Sequence, residues 1–225
     1  MVSLFSSSLL LKLVPNDLSF HSLFLSGVVA SDYSITLSAV QAFAPDSNNS
    51  TYFEIAPLTT TEYMLLYYDG DSKTYTGPLS ATLANVVIPA GSTVATDVTF
   101  TLSNTSTLTS SMLNYYFATT TLDNNTVAIT YTDANQNNAV VVQTVEVFRV
   151  NNNEIVFGSK LTVNSGASYT QLQTGLMDLD IVTVSENQEF LVLYSDVSNH
   201  GAITATLGQV CINNFTLFSC LFHLI

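Results

Sequence analysis

YMLLYYD (63–69), VAITYTD (127–133) and FLVLYSD (190–196) are three versions of one phrase, an apolar run closed by Tyr, any residue and Asp. Tyr67, Tyr131 and Tyr194 stand 64 and 63 residues apart, and the segments around them recur in the same order. An alternating strand opens each unit: ITLSAVQAF from Ile35, VTFTLS from Val98, EIVFGSKLTV from Glu154. TYFEIAPL, NYYFATTTL and DIVTVSE supply a second strand, and the phrase itself is the third. A fourth follows a polar loop, as LSATLANVVI (79–88), VVVQTVEVFRV (140–150) and AITATLGQVCI (202–212). Val, Ile, Thr, Tyr and Phe dominate, period-two alternation is common, and NN, DG, SG and PAG mark the turns.

Four antiparallel strands repeated every ~40–60 residues point to a β-propeller, because each small sheet must bury its faces against neighbouring blades. A β-solenoid would need a shorter period, and a single sandwich would need no repeat. The expected fold is therefore all-β and propeller-like, one domain over residues 1–225. Its divisions are a partial preceding blade at 1–34, blades at 35–97, 98–154 and 155–212, and the start of a further blade, or a truncated tail, at 213–225. LSGVVA (25–30) aligns with the fourth strand LANVVI (83–88), and LLLKLVPND (9–17) with a third strand whose Asp17 stands where Asp69 does. NNFTLFS (213–219) echoes NEIVFGS (153–159). The end segments either combine into a composite closing blade or belong to a longer propeller. A rival reading of the N-terminus is a secretory signal cut after Val28-Val29-Ala30, although no positive charge precedes Lys12.

The 47% apolar content of the 225 residues excludes disorder. Four Lys+Arg against seventeen Asp+Glu give a net charge of −13, which repels nucleic acid and anionic membrane surfaces. No stretch reaches the ~18 apolar residues of a membrane-spanning helix. An acidic surface rich in Ser, Thr and Asn suits an extracellular or cell-surface protein. The sequons at Asn48, Asn49, Asn104, Asn124 and Asn214 would be acceptors there, but so Asn- and Thr-rich a chain generates them by chance. Cys211 and Cys220 are open to a disulfide or to two free thiols, and with His223 they fall short of a zinc ligand set.

The loops after the phrase are polar: DGDSK (69–73), DANQNN (133–138) and DVSNHG (196–201). Oxygens at alternate positions, Asp69 and Asp71, or Asp133, Asn135 and Asn137, with Asp196 in the third loop, are what Ca²⁺ would take. The competing reading is that each Asp caps its hairpin through an Asx-turn, which needs no metal. In this spacing the loops resemble the calcium loops of integrin-type (FG-GAP) propeller repeats. The phrase as a whole resembles degenerate propeller repeats of extracellular proteins from algae and other microbial eukaryotes. That resemblance implies fold rather than activity, and the Phe-Gly pair occurs only at Phe157-Gly158.

Tyr67, Tyr131 and Tyr194 fall on the same face of equivalent strands, where bulky rings fill the space between sheets. His21, His200 and His223 are the only histidines, and no G-x-S-x-G, H-E-x-x-H, P-loop or Rossmann fingerprint occurs. The function expected is a binding or scaffolding module for a protein or glycan, able to self-associate through open sheet edges. The alternative is a carbohydrate-active hydrolase working with carboxylates at the propeller mouth, for which Asp178, Asp180, Glu186 and Glu189 are candidates.

Overall fold

Where β-branched and aromatic residues alternate, the chain forms strands in the computed structural model. The structure describes residues 3–6, 23–24, 26–29, 35–37, 41–42, 52–68, 76–87, 99–103, 105–108, 112–136, 139–149, 153–164, 179–185, 188–196, 202–210 and 220–222. Within these, every strand pairing is antiparallel, and the helical content is one 3-10 turn at Ala134–Gln136. The protein is all-β, and the described residues do not close into a ring.

The N-terminal strands are β1 (Ser3–Ser6), β2 (Leu23–Phe24), β3 (Ser26–Val29), β4 (Ile35–Leu37) and β5 (Gln41–Ala42). Strand β3 lies between β1 and β4, while β2 pairs with β5. Segment 9–17 and Asp17 lie outside the described residues, and β3 takes β1 as its neighbour on that side.

Three larger sheets follow. Sheet one runs β6 (Phe53–Pro57), β7 (Glu62–Tyr68), then past β8 (Thr76–Gly77) to β9 (Leu79–Val87) and β10 (Thr99–Leu102). Strand β11 (Ser106–Thr107) continues along the same edge of β9. Sheet two is β12 (Met112–Thr121), β13 (Thr126–Asp133), β14 (Ala139–Phe148) and β15 (Glu154–Asn164), with β8 on the edge of β12. Sheet three is β16 (Leu179–Ser185), β17 (Glu189–Asp196), β18 (Ala202–Gln209) and β19 (Cys220–Phe222).

Each is a meander, but its boundaries differ from those expected. Thr99–Leu102 and Glu154–Asn164, expected to open new units, pair back onto β9 and β14 of the preceding sheet. The phrase is therefore the second strand of each sheet rather than the third. A repeat has a period but carries no phase, and pairing along the chain decides where the sheets are cut. Only five residues of sequence separate β14 from β15, and β15 covers the nearest open edge, that of β14.

Register explains the recurring tyrosine. Tyr67 stands opposite Phe53, Tyr131 opposite Phe117 and Tyr194 opposite Leu179, always an apolar residue of the first strand. All three tyrosines are buried, as expected for rings filling the space between sheets. One core joins Met64, Leu66 and Tyr68 of sheet one to Phe117, Ile129 and Tyr131 of sheet two. A second joins Ala128, Val140 and Val142 of sheet two to Ile181, Phe190 and Tyr194 of sheet three. A third, with Tyr63, Leu65 and Tyr67, lies on the other face of sheet one. Tyr131 and Tyr194 thus face backwards along the chain, toward the preceding sheet, while Tyr67 packs among residues of its own sheet. Strands β7 and β13 are buried on both faces as a result, which is why their sequences run apolar without a break.

The sheets approach one another most closely along their first strands, β6, β12 and β16. There the hydrogen bonds follow the repeat. Thr121 Oγ1 donates to the Pro57 carbonyl at 2.6 Å, and Thr183 Oγ1 donates to the Thr121 carbonyl at 2.6 Å. Pro57, Thr121 and Thr183 are equivalent: each stands opposite, or in register with, the first residue of the phrase, Tyr63, Val127 and Phe190. Thr120 Oγ1 also accepts the Thr183 amide at 3.0 Å and lies 2.9 Å from Thr183 Oγ1. Parallel stacked sheets lie ~10 Å apart, too far for backbone groups of equivalent residues to share a side-chain bond. The sheets therefore converge at this edge. At the start of the phrase strands, Arg149 of sheet two pairs with Glu62 of sheet one at 2.6 Å, and Gln188 of sheet three donates to Asp123 of sheet two at 2.7 Å.

Candidate functional site

Three loops carry oxygens spaced as a cation would take them, with an Asx-turn as the competing reading. Asp69, Asp71 and Asn137 lie outside the described residues. Asp196 ends β17 opposite Ala202, and only its backbone is described. Asp133 and Asn135 are resolved in full, and they form an Asx-turn: Asp133 Oδ1 accepts the Asn135 amide at 2.9 Å. The other carboxylate oxygen, Oδ2, accepts Lys160 Nζ of β15 at 2.5 Å, and the Asp133 side chain is fully buried. Both oxygens are thus engaged by donors of this chain. A cation at Asp133 would have to displace an ammonium group already in place. Lys160 was not foreseen as its partner, because the two residues meet only through the β13–β14–β15 register. Beside them, Tyr131 donates to Gln143 Oε1 at 2.8 Å, and Gln143 Nε2 donates to the Gly158 carbonyl at 2.6 Å. Among the described residues no three His, Cys, Asp or Glu side chains gather where a metal could be held.

A cleft opens instead where the first strands converge. It has a volume of about 330 Å³ and is bordered by Glu54 to Pro57 of β6, Thr119 to Thr121 of β12, and Val182 and Thr183 of β16. Its walls are the donors and acceptors that tie the sheets together, with apolar contact from Ile55, Pro57 and Val182. Glu54 is the carboxylate on its wall. Burial pushes the Glu54 carboxyl above the ordinary 4.5; the hydroxyl of Tyr52, 3.1 Å away, pulls it back, and the charge of Asp180 raises it again. Glu54 and Asp180 are equivalent positions, each following the residue opposite the phrase tyrosine, with Ala118 between them in sheet two. Two sheets that place carboxylates at one repeat position bring their charges together wherever their first strands converge.

Of the four acidic residues considered for a hydrolase, Asp178 and Glu186 lie outside the described residues. Glu189 accepts the Ser185 hydroxyl at 2.7 Å, within its own hairpin. Asp180 is exposed, and its Oδ1 accepts the amide of Ile181 at 2.8 Å. Glu54 was missed in the sequence, although a signal existed: it is an acid on the core-facing side of an alternating strand, between Tyr52 and Ala56. The three histidines and Cys211 lie outside the described residues, and only the backbone of Cys220 is described.

Comparison with protein-family models, with curated proteins and with solved structures finds no match to this chain.

Two predictions follow from these sites. Asp133→Asn keeps the Asx-turn but leaves Lys160 without its carboxylate, and should lower stability by about 1–3 kcal/mol in urea titrations. Asp133→Ala should lower it by about 1 kcal/mol more, for the lost turn acceptor. Melting curves in calcium and in chelator should coincide. A chelator-dependent loss near the ~2.7 kcal/mol expected at a hundredfold excess over Kd would contradict the Asx-turn reading.

Glu54 sets a pH dependence. The folded state holds its proton more tightly than the unfolded chain, which titrates near the ordinary 4.5. Its contribution therefore favours folding at low pH and is lost as pH rises through the raised folded value. Glu54→Gln should leave the melting temperature unchanged at pH 4 and raise it at pH 7. An unchanged melting temperature at pH 7 would show that Glu54 ionises without penalty.

Proposed function

We propose that this chain is a propeller-type repeat module that works outside the cell as a binding or scaffolding protein. Its seat is the cleft between β6, β12 and β16, and its ligand is a neutral glycan. The observation that supports this reading is the convergence of equivalent first strands, the edge that a propeller turns toward its central axis. Pockets of this volume at such a mouth accommodate small polar ligands. Glu54 offers an acceptor whose burial is relieved when a ligand hydroxyl donates to it, and Ile55, Pro57 and Val182 offer apolar contact to a sugar ring. The net charge of −13 disfavours anionic glycans.

A hydrolase is the second reading, and one observation favours it. Glu54 is held toward its protonated form while Asp180, exposed and close enough to act on it, stands on the third sheet. A carboxyl held toward its protonated form near a second carboxylate is the arrangement of a general acid and its partner.

The test is a neutral-oligosaccharide array read at pH 7 with wild type, Glu54→Gln and Thr119→Arg. Thr119 lines the cleft without joining the inter-sheet bonds. Binding by wild type, weakened tenfold or more in both variants at unchanged circular dichroism, is the expected result. No glycan bound, or binding indifferent to both substitutions, would overturn the assignment. New reducing ends that disappear in Glu54→Gln would move the protein to the hydrolase reading.

A further inference from the structure

The tip of the β12–β13 hairpin, Leu122-Asp123-Asn124-Asn125, carries the sequon Asn124-Asn125-Thr126. In so Asn- and Thr-rich a chain a sequon alone selects nothing, but its place in the fold does. Asn48, Asn49, Asn104 and Asn214 lie outside the described residues. At this tip the groups around Asn124 are committed. The Thr126 carbonyl accepts the Leu122 amide at 2.9 Å, and the Asn125 carbonyl accepts the Val147 amide at 2.8 Å. Asp123 Oδ1 accepts the Asn125 amide at 2.7 Å, while its Oδ2 accepts Gln188 Nε2 of sheet three. Asn125 Oδ1 accepts Arg149 Nε, and the Asn124 carbonyl accepts Arg149 Nη2, both at 2.9 Å. The Asn124 side chain enters none of these bonds and is exposed.

We infer that Asn124 is an N-glycosylation acceptor, modified before the sheets close. The inference rests on the extracellular reading above, because the donor, a lipid-linked oligosaccharide, is met on the secretory route. The Asn124 amide nitrogen attacks the anomeric carbon of that donor. A C–N bond forms, the C–O bond to the diphosphate breaks, the lipid diphosphate leaves and the amide gives up one proton.

The acceptor motif also needs its hydroxyl, and Thr126 is only 8% exposed in the folded chain, opposite Glu146. Transfer therefore precedes the closing of sheet two. A two-stranded hairpin is marginal in water, so the sequon stays accessible until β14 pairs with β13. Arg149, which fastens the tip, follows Asn124 by 25 residues, about 1–5 s of synthesis. The glycan then projects from a side chain the fold does not use, at the end of β13 opposite the Asx-turn of Asp133.

Peptide mass spectrometry on the full chain, expressed behind an added cleavable secretion leader in a glycosylating eukaryotic cell, tests this. Chymotryptic cleavage after Phe117 and Tyr131 isolates residues 118–131, in which Asn124-Asn125-Thr126 is the one sequon. This peptide should carry an N-glycan whose enzymatic release converts Asn124 to aspartate. Asn124→Gln and Thr126→Val should lose the adduct and Thr126→Ser should keep it, all with wild-type circular dichroism. Folded chain made in a bacterial cytosol should gain no glycan at Asn124 from the purified transferase and its lipid-linked donor. A bare Asn124 in the secreted protein would overturn the site, and modification of the folded chain would overturn the order of events. Because the leader supplies the route, a bare Asn124 counts against the site alone and not against the extracellular reading.

Discussion

The architecture depends on one hydrogen bond made twice. Thr121 and Thr183 each send a hydroxyl to the carbonyl of the equivalent residue one sheet back, at the same 2.6 Å. A bond between equivalent positions fixes the distance between successive sheets at this edge, because the donor and acceptor recur in the same frame. Apolar packing alone would not do this. The cores behind it supply most of the favourable free energy, but burial is non-directional and would accept a range of separations at this edge. The series begins at Pro57, which contributes a carbonyl and needs no hydroxyl. That convergence creates the cleft and draws Glu54 and Asp180 together.

Much of this order was legible in the sequence, because the phrase carries its own physical logic. A bulky tyrosine at a fixed place in an apolar strand belongs in a core, and all three tyrosines are buried opposite an apolar residue of the first strand. Strand type followed from alternation and β-branching. The phase of the repeat did not, since β10 and β15 could pair forward or back, and their pairing onto β9 and β14 decides it. The threonine bonds were hidden for a different reason. Thr121 lies ten residues before its phrase tyrosine and Thr183 eleven, because an irregularity in register between Thr183 and Ser185 adds a residue to sheet three. In so threonine-rich a chain, that offset removes the only alignment that would have singled them out.

The charged groups show the same division. Arg149 and Lys160 are two of only four cations in the chain, and both are committed to carboxylates across strands or sheets. Asp133 was legible as a turn-forming residue, and its Asx-turn is present. Its ion pair was not legible, because Lys160 lies two strands away and meets it only through register. Glu54 was the least visible of all, since a single acid in an alternating strand reads as surface until the neighbouring sheets are placed. Buried polar groups in this protein are set by which sheets meet, and sequence periodicity describes each sheet before it describes their meeting.

The most direct measurement of the central claim is the stability of Thr121→Val, Thr183→Val and their double variant, with Thr119→Val as the control, in urea titrations. Valine keeps the volume and β-propensity and removes only the hydroxyl. Each single substitution at 121 and 183 should cost about 1 kcal/mol, with up to about 1 more at 183, whose hydroxyl also meets Thr120. The control should change stability by less than about 0.5 kcal/mol. Equal stability in all four variants would contradict an arrangement of sheets held by hydroxyl-to-carbonyl bonds between equivalent residues.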